Sequence, residues 1–257
     1  ETIQQLSNVA FDNVFHLASP ASPVQYIKYP LETLRLNTEG TRLLLEYVKE
    51  NPATKILFAS TSEVYGDPLE HPQKETYWGN VNSFGPRSCY DEAKRFGEAL
   101  CYSYQHLFNL DIRIVRIFNT YGPNMEQNDG RVISNFITQA LSKKPITIYG
   151  DGTQTRSFCY VTDLVDGLIS MMQADTKGMV INLGNPQEES MIDMARKIKE
   201  LTSSSSEITY HDLPEDDPKR RRPDVTKAQK YLNWNPKIQL EEGLLKTITY
   251  FKERFSL

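Results

Sequence analysis

The run Ile56-Leu57-Phe58-Ala59-Ser60-Thr61-Ser62-Glu63 decides the fold. Its first five residues show no alternation of apolar and polar side chains. Such a run marks a strand buried on both faces, as in a parallel sheet covered by helices on either side. Its last three place two hydroxyls and a carboxylate at the carboxyl end of that strand, where sheets of this kind bind their ligands. Upstream, Val14-Phe15-His16-Leu17-Ala18 is a second continuous run, and downstream Ile112-Arg113-Ile114-Val115-Arg116-Ile117 is a third. Helical patterns lie between them over residues 31–50 and 88–108, the latter repeating Ala93, Phe96, Gly97, Leu100, Cys101 and Tyr104 at three- and four-residue spacing. The order strand, helix, strand, helix, strand predicts an α/β fold with a doubly wound parallel sheet.

After Tyr121-Gly122-Pro123 the elements shorten. A helix is expected near 131–142, a strand at Thr147-Ile148-Tyr149, a helix over 161–173, a strand over 180–183 and a helix over 190–201, with a solvated turn at Ser203-Ser204-Ser205-Ser206. This texture predicts a second, smaller region. With 29 Lys and Arg against 33 Asp and Glu, and one dense basic run, Lys219-Arg220-Arg221-Arg222, that follows Asp216 and Asp217, nucleic-acid binding is excluded. No apolar run approaches the roughly 18 residues of a membrane span, so no membrane segment is expected in this chain. Three cysteines without a Cys-x-x-Cys pair and four scattered histidines argue against a disulfide framework and a metal site, and for a reducing, cytoplasmic setting. His16, inside an apolar strand, reads as a satisfied core residue.

Tyr90 and Lys94 stand four apart on the expected 88–108 helix, which puts both on one face a turn apart. A tyrosine hydroxyl titrates near ~10, so it accepts a proton at neutral pH only where positive charge favours the phenolate, and Lys94 supplies such charge. In a chain with 14 tyrosines this spacing arises about once by chance, so the pair alone reads equally as two residues on a helix surface. The stretch Thr61-Ser62-Glu63-Val64-Tyr65-Gly66 adds context. Thr61 is placed to hydrogen-bond a substrate hydroxyl beside Tyr90, and Glu63 to act as a second acid or base; plain loop capping is the alternative.

The blocks His16-Leu17-Ala18, Ser60-Thr61-Ser62-Glu63-Val64-Tyr65-Gly66, Tyr90-Asp91-Glu92-Ala93-Lys94, Arg116-Ile117-Phe118-Asn119-Thr120-Tyr121-Gly122-Pro123 and Thr155-Arg156-Ser157-Phe158 together resemble the extended short-chain dehydrogenase/reductases that act on nucleotide sugars. The resemblance covers essentially the whole chain. Within that superfamily, the stretch from Tyr65 to Gly79 and the run Gly85-Pro86-Arg87-Ser88-Cys89-Tyr90-Asp91-Glu92 closely resemble the UDP-glucuronate decarboxylase (UDP-xylose synthase) family, and Asp216-Asp217-Pro218 and Arg221-Arg222-Pro223-Asp224 fit it. Nucleotide-hexose 4,6-dehydratases of the superfamily carry an Asp-Glu pair where Ser62-Glu63 stands, and simple 4-epimerases lack a carboxylate at the position of Glu63. Both outcomes are therefore disfavoured. So is a binding protein without activity, because Thr61, Glu63, Tyr90 and Lys94 are all present.

The resemblance implies a Rossmann-like NAD domain from residues 1–122 and 158–186 and a smaller C-terminal α/β nucleotide-sugar domain from 123–157 and 187–257. It implies NAD as cofactor and a UDP-sugar as substrate. Tyr90 would take the proton from the hydroxyl on sugar carbon 4 as hydride passes to NAD, with Lys94 and the cationic nicotinamide holding the phenolate and Thr61 orienting the hydroxyl. The 4-keto group lies β to the carboxylate and lets carbon dioxide leave. Glu63 and Arg221 would manage protons and ring position at carbon 5, and hydride return would give UDP-xylose; release of a 4-keto pentose is the alternative. Leu17, Ala18, Ser19 and Thr120 would line NAD together with Thr61, Tyr90 and Lys94. Arg35, Ser62, Asn119, Arg131, Tyr149, Arg156 and Arg221 would surround the nucleotide sugar, with Arg220 the alternative to Arg221; the arginine fork suits a diphosphate. A homodimer is implied, pairing through the Tyr90 helix and its neighbour as a four-helix bundle.

One departure stands out. The glycine-rich dinucleotide fingerprint and its ribose-binding acid are absent from all 257 residues. The expectation is a fragment whose sheet lacks N-terminal strands, on the order of 60 residues, and which by itself neither holds NAD tightly nor turns over.

Overall fold

The computed structural model describes residues 9–256. Its first part runs β1 (Asn13–His16), α1 (Pro23–Lys28), α2 (Pro30–Arg35), a π-helical turn (Leu36–Gly40), α3 (Thr41–Glu50), β2 (Lys55–Thr61), a 3-10 turn (Ser62–Tyr65), α4 (Ser88–Phe108) and β3 (Asp111–Ile117). There follow β4 (Thr120–Tyr121), α5 (Val132–Leu141), β5 (Ile146–Tyr149), β6 (Thr155–Ser157), β7 (Cys159–Tyr160), α6 (Val161–Gln173) and β8 (Val180–Leu183). The chain closes with β9 (Glu188–Ser190), α7 (Met191–Leu201), β10 (Ile208–His211), β11 (Arg220–Arg221), α8 (Thr226–Leu232) and α9 (Leu240–Phe255).

Four strands form the main sheet in the order β1-β2-β3-β8, all parallel, with Phe15 opposite Leu57, Phe58 opposite Ile114 and Ile117 opposite Leu183. Successive side chains of a strand point to opposite faces. Ile56 and Phe58 therefore pack with Leu45, Val48 and Cys101 under α3 and α4, while Leu57 joins Leu164, Leu168 and Met171 of α6 and Ala228 of α8 on the other face. Every residue of β2 after Lys55 is buried, as its unbroken apolar run requires. β1 departs from the same expectation. It is the sheet edge among the described residues, and Phe15 is 41% exposed because nothing described covers that side.

The pattern over residues 31–50 predicts one helix, and the chain forms a broken one. Side chains in this stretch bond back to carbonyls one turn earlier: Thr33 Oγ1 to Tyr29 O (2.7 Å), Asn37 Nδ2 to Thr33 O (2.9 Å) and Thr41 Oγ1 to Asn37 O (2.6 Å), and the π-turn falls among them. Thr41 Oγ1 also meets His16 Nε2 at 2.9 Å. Burial, with the Lys94 ammonium adding to it, pulls the His16 pKa down to about 4, so His16 is a neutral core residue.

A second core gathers Ile133, Phe136 and Ile137 of α5, Met194 and Ile198 of α7, and Leu244, Ile248 and Phe251 of α9 around Ile146 and Ile148 of β5. Helices α8 and α9 and the short strands β4, β6, β7, β9, β10 and β11 were not foreseen from the pattern of the sequence, whereas β5 falls where a strand was expected at Thr147-Ile148-Tyr149. The strands are two to four residues long, too brief to show a period, and they pair as β5 with β10, β4 with β7, and β6 between β9 and β11. The last pairing sets Arg221 opposite Arg156. No helix among the described residues is long and apolar enough to cross a membrane.

Helix α4 seats on β2 through Gly97, where an added Cβ would lie 2.4 Å from the ring tip of the fully buried Phe58. Gly97→Ala is therefore expected to overpack this contact and lower stability by roughly 1–3 kcal/mol despite alanine's better helix propensity. Urea unfolding checks it, and an unchanged or higher midpoint would show that the helix can shift without cost.

Candidate functional site

β2 ends at Thr61, whose hydroxyl accepts the Glu63 N–H at 3.2 Å and so starts the 3-10 turn. Gly66 closes the turn at φ +62°, with Asn80 O 1.9 Å from where a Cβ would sit. No side chain fits there. The turn delivers Ser62 and Glu63 to a cavity of about 1010 Å3 at the carboxyl ends of β2 and β3. Of the residues singled out in the sequence, Leu17, Ser19, Thr61, Ser62, Glu63, Tyr90, Lys94, Asn119, Thr120, Arg131, Tyr149, Arg156 and Arg221 line it.

Two do not. Ala18 is exposed and does not line the cavity, although its neighbours Leu17 and Ser19 do. Arg35 lies exposed on α2, whose buried side is Thr33, so its guanidinium stays outside as well. Arg220 is also exposed, whereas its neighbour Arg221 is 1% exposed and lines the cavity.

Glu63 is the centre of the charged network. Its carboxylate accepts from Arg221 Nη1 at 2.7 Å and from Arg87 Nη2. Arg221 also donates to Ser62 Oγ (2.9 Å) and Gly66 O (2.8 Å). Burial works against ionisation of Glu63, but Arg221 and Arg87 prevail and draw its pKa down to about 2. Arg87 also faces Asp217 at 3.5 Å and Asp91 at 3.9 Å, and Asp217 continues to Arg156 at 2.8 Å.

Tyr90 and Lys94 sit on the same buried face of α4, as their spacing requires. The Tyr90 ring stacks on Tyr26, with centroids 5.0 Å apart and planes 4° apart. Burial raises the Tyr90 pKa well above the ordinary phenol value, with Thr61 and Arg131 pulling the other way, so the side chain is a neutral phenol at pH 7. The Lys94 ammonium lies 5.8 Å from the Tyr90 ring centroid and donates to Ala59 O at 2.8 Å. Burial brings its pKa down to about 8.

The sequence reading missed four residues of this site: Tyr26, Arg87, Asp91 and Asp217. Arg87 and Asp91 lie inside the Gly85-to-Glu92 run, four apart at the start of α4, and that spacing is the signal that pairs them. For Asp217 the signals were an acid in front of a basic run and the fit of Asp216-Asp217-Pro218 to the family, neither of which says which charges it meets. Tyr26 carried none, since its burial against Tyr90 is a tertiary contact.

Fold and cavity together define a parallel-sheet protein with a Tyr-Lys pair facing an arginine-rich cleft, and comparison with known proteins agrees. The profile of the GDP-mannose 4,6 dehydratase family matches residues 1–247. The chain belongs to this family, among the extended short-chain dehydrogenase/reductases. It is 53% identical over 245 residues to UDP-glucuronic acid decarboxylase 1 of Xenopus tropicalis, covering 95% of this chain and 58% of that protein. The chain thus spans a little over half the length of that relative. Among solved structures it is similar to UDP-glucose 4-epimerase of Thermotoga maritima, with TM-score 0.91 and 28% identity over 98% of this chain and 81% of that one. It is also similar to UDP-glucuronic acid 4-epimerase of Bacillus cereus in complex with UDP-glucuronic acid and NAD, with TM-score 0.89 and 30% identity over 99% and 79%.

Burial first, and the Glu63 carboxylate second, push the Asp91 carboxyl up to about 8, with Arg87 opposing. Its Oδ1 has no hydrogen-bond partner. From about pH 4 to 8 the folded chain holds a proton at Asp91 that the unfolded chain has lost. Its contribution to stability is therefore complete below about pH 4 and disappears as pH rises through 8. Asp91→Asn is expected to remove this dependence. Urea midpoints of variant and wild type should diverge between about pH 5 and 8.5, the variant gaining as pH rises, while parallel curves would mean that Asp91 is ionised throughout.

Proposed function

We propose that the protein to which this chain belongs is an NAD-dependent UDP-glucuronate decarboxylase, which forms UDP-xylose through a 4-keto intermediate. The observation that carries this reading is Glu63, fixed by Arg221 beside Ser62 in the cavity wall, in a chain 53% identical to a UDP-glucuronic acid decarboxylase.

For NAD, the nicotinamide-ribose end fits. The Lys94 ammonium is 2% exposed at the cavity wall, and its one hydrogen-bond acceptor among the described residues is Ala59 O, which leaves N–H groups for ribose hydroxyls. Leu17, Ser19 and Thr120 line the same cavity. The sequence contains no glycine-rich turn for the pyrophosphate. When bound, the nicotinamide supplies hydride acceptance and return.

The chain's own residues do the rest. Tyr90 takes the proton of the carbon 4 hydroxyl, and Thr61 orients that hydroxyl. Lys94, still mostly protonated at pH 7 with a pKa of about 8, places positive charge 5.8 Å from the Tyr90 ring centroid, which with the charge of a bound nicotinamide would favour the phenolate against burial. Arg156, Arg131 and Arg221, with Asn119 and Tyr149, hold the nucleotide diphosphate and sugar. Glu63 and Arg221 manage ring position and the proton returned to carbon 5 once carbon dioxide has left.

The sheet domain (1–122 and 158–186) carries the cofactor half, and the rest (123–157 and 187–257) carries the nucleotide-sugar half. Val225, Ala228, Leu232 and Trp234 return to pack on the sheet. A homodimer is supported by the exposed apolar residues Phe96, Tyr102 and Leu107 on α4. Cytoplasmic residence is supported by three free, buried cysteines.

The full gene product mixed with UDP-glucuronate and NAD is expected to release carbon dioxide and yield a nucleotide pentose reduced at carbon 4, followed by mass spectrometry and proton NMR. Tyr90→Phe is expected to lower kcat by about 10²–10⁴-fold. Carbon dioxide with accumulating NADH would mean a 4-keto pentose product. Carbon 4 inversion without loss of carbon dioxide would make the protein an epimerase, the activity named for its structural neighbours.

A further inference from the structure

Of the four arginines that line the cavity, three, Arg87, Arg156 and Arg221, hold two carboxylates of the same lining, Glu63 and Asp217, among their guanidiniums. The two carboxylates are anchored very differently. Glu63 stands on a turn fixed by Thr61 and Gly66 and packed at the end of a buried strand. Asp217 lies in the irregular segment between β10 and β11, its side chain is 26% exposed, and its N–H donates to Pro214 O at a long 3.3 Å. Yet Asp217 spans two of the three cations, with Oδ2 2.8 Å from Arg156 Nη2 and Oδ1 3.5 Å from Arg87 Nη1.

Among the described residues, Arg156 has no other anion in contact. Its remaining hydrogen bonds go to the carbonyls of Thr155 (2.9 Å) and Lys219 (3.2 Å). Burial disfavours its charge most, Asp217 opposes burial without cancelling it, and Arg221 and Arg87 disfavour the charge further while Glu63 supports it. Two buried cations held near each other need an anion, and in this structure the chain provides one from its own loop.

We propose that Asp217 stands in for a ligand phosphate: it fills the anion position between Arg87 and Arg156, and a phosphate-bearing nucleotide binds by displacing it into solvent. This inference rests on the reading of the cavity as a nucleoside-diphosphate-sugar site. A diphosphate that arrived with Asp217 in place would bring two anions to the same guanidiniums. With Asp217 withdrawn, the fork of Arg156 is free for bidentate phosphate contact. Part of the intrinsic affinity for phosphate is therefore spent on displacement, and the remainder sets the measured Kd. Asp217 is a positioning residue that tunes affinity for the phosphate and has no part in affinity for the base or ribose.

The test is calorimetric titration of the full gene product with UDP and, separately, with uridine, which lacks the phosphates. Asp217→Asn keeps the side-chain shape and removes the charge. It is expected to bind UDP about tenfold more tightly, with uridine affinity unchanged. Asp217→Glu is expected to return UDP affinity to the wild-type level. Asp216→Asn is expected to change neither ligand, because the Asp216 carboxylate accepts from Asn82 Nδ2 at 2.9 Å and meets no guanidinium. Unchanged or weaker UDP binding by Asp217→Asn overturns the proposal, as does a parallel gain for uridine or an equal gain for Asp216→Asn. If the wild type binds UDP and the variant gains nothing, this inference alone fails. If the wild type does not bind UDP, the reading of the cavity fails and takes the inference with it.

Discussion

The grip of two guanidiniums on the Glu63 carboxylate is the constraint on which the rest of the site depends. Glu63 follows β2, Arg87 immediately precedes α4, and Arg221 lies on β11, so this one carboxylate joins three segments far apart in the chain. Removing charges from water costs several kcal/mol per ion, and only close geometry and further hydrogen bonds recover it. Arg221 meets that demand by donating also to Ser62 Oγ and Gly66 O. The left-handed Gly66 is thus part of the same arrangement, since the turn that it closes presents both acceptors.

Helix α4 carries two duties that pull against each other. Its buried face must pack on β2, which it does through Gly97 and Cys101, and the same face must present Tyr90 and Lys94 to the cavity. Burial then works against the charged form of both: the phenol is raised well above its ordinary value and the ammonium lowered to about 8. Asp91, one residue on from Tyr90, feels the same desolvation and holds its proton. Keeping Asp91 neutral leaves Arg87 to Glu63 and Asp217.

Local pattern was enough for β2, α4 and α6, though not for α9. The unbroken run of β2, the 3.6-residue period of α4 and the helix over 161–173 are each set by side chains that must face a neighbouring layer, and the periods remain readable along a single chain. The site was legible to the extent that its residues cluster in sequence: Thr61, Ser62 and Glu63 on one turn, and Tyr90 and Lys94 on one helix face. Arg221 was found through its motif, and the structure separates it from Arg220 by burying one and exposing the other, the alternation of a strand that pairs with β6.

What a linear pattern does not hold is which distant charges meet. Arg87 shared between Glu63 and Asp217, the face-to-face stacking of Tyr26 on Tyr90, and the exposure of Arg35 and Ala18 all depend on how the segments of the first part are packed against one another. Secondary structure follows the nearest neighbours in the chain, which the order of residues specifies directly. Ion-pair partners and perturbed pKa values follow distance and desolvation in three dimensions, and these exist only after the sheet and the second core have packed.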